Sequence, residues 1–400
     1  MGSSSVEYMA QTVSPLVNGE AKLVIADKGL AITTAQDAAE IPFSEIDFLI
    51  LSDYVVKVRA ECGDFVFSRM GNWCQPFFDS LCEAYNKAVL RSLFVKGAPL
   101  VTAKGDYGYI EPERKAGGSA PVYVYDNCVV VLPTNLGARR VPLCFTSGMD
   151  KGGFEVTLRL DTGESYTFAK LGYDMAPFTE AVEAQMRALR EKSLKAVKEI
   201  DPSLSTVESS NLVKLIPQGA SAAFGQLAAA APSFAAAMEE KIAGTRAAEG
   251  YKAFKEICDP ARIYIGFRKN EPDGVIAPEL PEAEEPAPDP YLIWLIAPSP
   301  DGGYAAVEFA EPNAATFVYK TGGDFDGFAR QLSRALEAIA FKREVIRLSD
   351  EELRKPEYAD YYMASKRTTA LFLIRENFVG RVIHSSPEAW KRKLTELWGG

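Results

Sequence analysis

The chain has 400 residues, with 44 Lys and Arg against 54 Asp and Glu, a net charge of −10 and a single histidine. That length suits roughly three domains of ~100–150 residues, each able to bury a core without metals or disulfides. The acidic balance speaks against broad nucleic-acid binding, which relies on many basic phosphate contacts, and one histidine all but excludes a multi-His metal centre or a Ser-His-Asp triad.

The first residues, Met1-Gly2-Ser3-Ser4-Ser5, lack the apolar run of a signal peptide. Val6 stands where a myristoylation motif has Ser or Thr. No run of about 18 apolar residues is present to span a bilayer. The six cysteines (Cys62, Cys74, Cys82, Cys128, Cys144 and Cys258) form no C-x-x-C pair. They read as buried, reduced thiols of a cytoplasmic protein.

The chain then repeats itself. Leu23–Ile32, with Asp27 at its centre, parallels Val122–Val131 with Asp126. Ile41-Pro42-Phe43 parallels Val141-Pro142-Leu143. Tyr54–Arg69 alternates apolar and polar residues around Gly63, and Phe154–Lys170 does so around Gly163. Both patterns predict β-hairpins. A third hairpin is predicted over Tyr304–Lys320, turning at Pro312-Asn313. Each is followed by a basic residue, a glycine two further on and a phenylalanine six after that: Arg69, Gly71, Phe77; Lys170, Gly172, Phe178; Lys320, Gly322, Phe328. The glycine permits positive φ as the chain leaves the strand. The phenylalanine opens an apolar stripe at i, i+4, i+8 and i+11, one face of a helix. Its members are Phe77, Leu81, Tyr85, Ala88; Phe178, Val182, Met186, Leu189; and Phe328, Leu332, Leu336, Ile339.

Between the second and third units, residues 200–258 predict a helical insert, punctuated by Pro217, Gly219 and Pro232. Ala261–Phe267 predicts a strand opening the third unit, and Tyr291–Ala297 a strand resuming it. Residues 271–290 hold seven acidic residues, six prolines and no Lys or Arg, the composition of an extended solvated loop. Residues 346–400 predict a helical tail. Ser386-Pro387 caps its last helix, helix is favoured over 357–383, and two strands at Leu371–Ile374 and Phe378–Ile383 are the alternative. Residues 341–400 carry twelve Lys and Arg against nine Asp and Glu, and this basic, aromatic segment is expected to fold back on the third unit or the insert.

These features resemble the pleckstrin-homology-like (PH-like) superfamily, including GRAM and bacterial PH-like domains. The resemblance rests on the strand–Asp–strand elements, the Ile41–Ile46 run, the hairpins and the closing helices. It implies an α+β protein of three tandem units, each a bent antiparallel sheet or barrel of about seven strands closed by a C-terminal helix. The expected domains are unit one at 6–95, unit two at 96–199, the insert at 200–258, a divergent unit three at 259–345 and the tail at 346–400.

No nucleotide-loop, nucleophile-elbow or zincin motif occurs, and His384 reads as structural or surface. The chain is therefore expected not to be an enzyme and to need no cofactor or metal. The first expectation is protein–protein interaction or scaffolding, through sheet edges and the groove beside a closing helix. The alternative is phospholipid or membrane-surface recognition by basic loops. A second alternative, suggested by the acidic balance, is a histone-chaperone-like tandem PH protein. Candidate binding residues are Arg114 and Lys115 in a Gly-rich loop, Arg139 and Arg140 between strands, and Arg375, Arg381, Lys391, Arg392 and Lys393 in the tail.

Overall fold

The computed structural model describes residues 7–269, 291–310, 315–384 and 386–399. Met1–Ser5, the acidic stretch 271–290 and the turn at Pro312-Asn313 lie outside the described residues. The chain forms two compact units, one from 1–185 with 338–372 and the other from 186–337 with 373–400.

The first unit holds two sheets. Strands β1 (Glu7–Val13), β2 (Gly19–Ile25), β3 (Gly29–Thr34), β4 (Ala38–Pro42), β5 (Ile46–Ser52), β6 (Val55–Ala60) and β7 (Gly63–Ser68) precede helix α1 (Cys74–Ser92). Their order in the sheet is β4-β3-β2-β1-β7-β6-β5. Strands β8 (Val101–Glu111), β9 (Arg114–Val124), β10 (Cys128–Val131), β11 (Arg139–Pro142), β12 (Thr146–Lys151), β13 (Glu155–Leu160) and β14 (Ser165–Ala169) precede helix α2 (Met175–Ile200). Their order, β11-β10-β9-β8-β14-β13-β12, matches the first sheet position for position. Even the irregularities correspond: the register shifts between Ile46 and Phe48 in β5, and between Thr146 and Gly148 in β12.

The exits from the closing hairpins follow the repeated motif. Gly71, Gly172 and Gly322 have φ of 56°, 58° and 64°. Arg69 and Lys170 adopt the same left-handed region at 59° and 54°, so the basic residue shares the turn with the glycine. The stripe Phe77, Leu81, Tyr85 and Ala88 is buried in full. In α2 only Phe178 and Val182 are fully buried, while Met186 and Leu189 are half-buried. Tyr125, Cys128, Val130, Leu132 and Ala138 of the second sheet pack into the same core as the first sheet and α1.

The remaining elements are α3 (Thr206–Leu215), β15 (Ser221–Ala223), α4 (Phe224–Ala230), α5 (Pro232–Ala243), α6 (Ala248–Ile257), β16 (Tyr264–Lys269), β17 (Tyr291–Pro298), β18 (Tyr304–Phe309), β19 (Ala315–Lys320), α7 (Phe325–Ala338), α8 (Asp350–Leu353), α9 (Ala359–Arg367), α10 (Thr369–Glu376), β20 (Phe378–Ile383) and α11 (Pro387–Leu397). The third sheet has six strands among the described residues, ordered β15-β16-β17-β18-β19-β20. It departs from the seven-strand pattern. Where β7 pairs with β1, the corresponding last hairpin strand β19 pairs with β20, which comes from the tail. The tail is thus not wholly helical. Leu371–Ile374 lies in α10, but Phe378–Ile383 is a strand, because its valines and isoleucine suit a pleat and β19 supplies the ladder. The insert likewise contributes β15.

Close packing in this sheet makes one position intolerant. A Cβ on Gly266 would lie 2.0–2.4 Å from atoms of the Trp294 indole opposite. Trp294 is fully buried and has no room to turn aside. Gly266→Ala should cost at least ~1–3 kcal/mol of overpacking, read as a lower urea midpoint. An unchanged midpoint would contradict this packing.

A buried ion cluster and a candidate interaction surface

Arg139 and Arg140 do not lie between strands but on β11, all of which is buried. Arg139 is 1% exposed. Its Nε donates to Glu111 Oε1 at 2.7 Å and its Nη2 to Oε2 at 3.3 Å. Nη1 donates to the carbonyls of Leu136 and Ala138 at 2.8 and 3.0 Å, and the guanidinium lies 4.2 Å from the Tyr109 ring centroid. Glu111 also accepts from the Tyr166 hydroxyl at 2.8 Å and the Thr369 hydroxyl at 2.6 Å. Burial alone would raise the Glu111 carboxyl, but Arg139 and then the two hydroxyls outweigh it and hold it below its ordinary range. The cluster therefore ties β8, β11, β14 and the first turn of α10 together, and Arg139 is spent inside the fold.

Arg114 and Lys115 open β9 rather than occupying a loop; the turn before them places Glu113 at a φ of 63°. Arg114 Nη1 donates to the Lys366 carbonyl at 3.0 Å and the guanidinium faces the Phe372 ring, whereas Lys115 is exposed. In the second unit Arg375 is half-buried on α10, and Arg381 is exposed on β20. Lys391 pairs with Glu256, Arg392 lies 3.8 Å from Glu396, and Lys393 is exposed on α11.

The groove beside α1 is occupied by the chain itself. Helix α9 lies against α1 and against the turn Phe43–Glu45 that leads into β5. Met363 enters the core of the first sheet. Arg367 donates from Nη2 to the Tyr85 hydroxyl at 2.6 Å and from Nη1 to the Met363 carbonyl at 3.0 Å. Lys366 donates to the Ser44 carbonyl at 3.1 Å and pairs with Glu61, which also binds Arg354 at 2.8 Å and the Tyr362 hydroxyl. Arg91 on α1 pairs with Asp360 at 2.9 Å. Self-docking of the tail is thus present in two places: this part docks on the first sheet, whereas β20 pairs with β19 of the third unit and α11 packs on Phe254 of the insert, as expected.

The sheet edges differ. β5 is engaged on its outer side: Leu49 N–H donates to the Thr134 carbonyl at 2.9 Å, the Thr134 hydroxyl donates to the Leu49 carbonyl at 3.2 Å, and Phe48 bridges to Asn135. β12 holds the same place in the second sheet and pairs with β13 alone among the described residues. Phe154, 85% exposed, stands in the turn between β12 and β13, and Tyr173, fully exposed, follows β14. The Lys170 N–H donates to the Phe154 carbonyl at 3.3 Å, which brings the chain three residues before Tyr173 to that turn. Tyr54, 79% exposed, holds before β6 the place that Phe154 holds before β13, and Trp73, 64% exposed, lies two residues after its exit glycine where Tyr173 lies one after. Sequence reasoning passed over these aromatics, although the signal was present: an aromatic just before the sixth strand, and another next to or near the exit glycine.

The chain is α+β, with three antiparallel sheets and a helix after each last hairpin. No family model matches the chain, and no curated protein matches it. A solved structure of "the Spt16D Pob3N heterodimer" is similar over 41% of this chain and 87% of its own, at 12% identity and a TM-score of 0.17. A likeness at that TM-score adds nothing to the fold or the function. No helix among the described residues is long and apolar enough to cross a membrane.

Proposed function

We propose that this is a non-catalytic interaction or scaffolding protein built on PH-like units, and that an extended peptide from a protein partner adds to the outer edge of β12. The observation that carries this reading is the contrast between the two edges. β5 already receives backbone pairing from residues 134–135, while β12 has one ladder partner among the described residues. An open strand edge is a template for strand addition, and the exposed Phe154 and Tyr173 offer aromatic anchors. The absence of a reaction is part of the proposal. No disulfide joins the six cysteines, which supports a reducing, cytoplasmic setting.

The test is a double Phe154→Ser, Tyr173→Ser variant. Both side chains are exposed, so folding stability should stay within ~0.5 kcal/mol. Affinity for a protein recovered on the immobilised wild-type chain should fall about tenfold or more, a loss of ~1.4 kcal/mol. Unchanged capture would sink the β12 reading. Wild-type flotation with anionic liposomes, lost when Lys115 is replaced, would favour lipid recognition instead.

A further inference from the structure

The only histidine of the chain stands at the end of β20, beside a carboxylate sunk in the second unit. Glu308 on β18 is 0% exposed. Its Oε2 accepts from the Thr316 hydroxyl on β19 at 2.7 Å, and Thr316 Oγ1 in turn accepts from Trp390 Nε1 on α11 at 2.9 Å. The Thr316 proton is therefore committed to Glu308. His384 Nε2 lies 3.2 Å from Thr316 Oγ1, 3.2 Å from Glu308 Oε2 and 3.1 Å from Oε1. It faces acceptors on every one of these contacts, so Nε2 carries a hydrogen in either charge state, and the proton that comes and goes is the one on Nδ1. Oε1 accepts no aligned hydrogen bond among the described residues. It sits against α6, where a Cβ on Gly250 would lie 2.9 Å from it. The imidazole meets the Trp390 indole edge-on with centroids 5.5 Å apart.

We propose that His384 and Glu308 form a proton-dependent latch: the imidazolium fastens β20 and α11 to β18 and β19, and loss of the Nδ1 proton weakens that fastening. The hydrogen bond from Nε2 survives deprotonation. What is lost is the positive charge beside a carboxylate deprived of water, where charge interactions are strong. The other elements packed around the ring bring Thr316 from β19, Trp390 from α11 and the acidic Glu249 from α6, and both glutamates favour the protonated ring. The bond to Glu308 raises the His384 pKa above its ordinary 6.5, against the lowering effect of burial, with Glu249 adding to the rise. The sign follows: the stabilisation is full below about pH 6.5 and fades as pH climbs through the folded-state value.

Because the chain has one histidine, its imidazole C2–H signal in a proton NMR titration of the intact protein is unambiguous. The midpoint should lie above 6.5; a midpoint at or below 6.5 would overturn the latch. In parallel, the Tm of the wild type should fall by about 2–4 °C more between pH 5.5 and 8.5 than that of His384→Gln. Protease cleavage within 378–398 should speed up over the same range in the wild type alone. Equal pH dependence in both proteins would also overturn the proposal. If His384→Gln does not fold, Glu308→Gln replaces it, and there the NMR midpoint should drop below the wild-type value.

Discussion

Replacing Glu111 with alanine should cost about 3–5 kcal/mol, because it strands the Arg139 guanidinium in the interior without its counter-charge. The double replacement Glu111→Met with Arg139→Met should recover much of that loss, since neither charge is then left unpaired. The same cluster fixes a pH dependence. The folded Glu111 carboxyl titrates below its ordinary 4.5, so its contribution is present above that value and is lost as pH falls through the folded pKa. An acid titration of the wild type should therefore show a loss of stability that Glu111→Ala lacks. Urea unfolding at neutral pH checks the magnitude. A cost under about 1 kcal/mol would mean that the cluster relaxes into water on mutation, contrary to its burial.

Phe77→Ala and Phe178→Ala should each cost about 3–5 kcal/mol. Phe77 is fully buried and packs edge-on to Tyr8 and Phe67, with centroids 5.1 and 5.9 Å away. Phe178, equally buried, packs on Phe168 at 5.3 Å. Both positions open the helix that closes a sheet of the same strand order, so their losses in urea should agree within about 1 kcal/mol. Widely different losses would mean that the two helices do not close their sheets in the same way.

Local pattern carried the hairpins, the exit glycines and the helical stripes, because each depends on residues within a few turns of one another. The same reasoning could not find the partner of Arg139. Glu111 lies on another strand 28 positions earlier, and two adjacent arginines read as solvated unless the opposing carboxylate is known. Nor could it place the tail. Tyr362, Lys366 and Arg367 showed a basic, aromatic character, but their complement at Tyr85, Ser44 and Glu61 is some 280–320 positions away. Phe378–Ile383 illustrates a third limit. Six residues fit either a short helix or a strand, and only the neighbouring β19 decides.

Neither compact unit is contiguous in sequence, and this orders events during synthesis. Both sheets of the first unit are complete by Ala169, yet Thr369 and Arg367, which satisfy Glu111 and Tyr85, emerge some 200 residues later. At ~5–20 residues per second that interval is about 10–40 s on the ribosome. Throughout it the nascent chain carries the strip beside α1 uncovered, with Glu61 and the Tyr85 hydroxyl awaiting their partners.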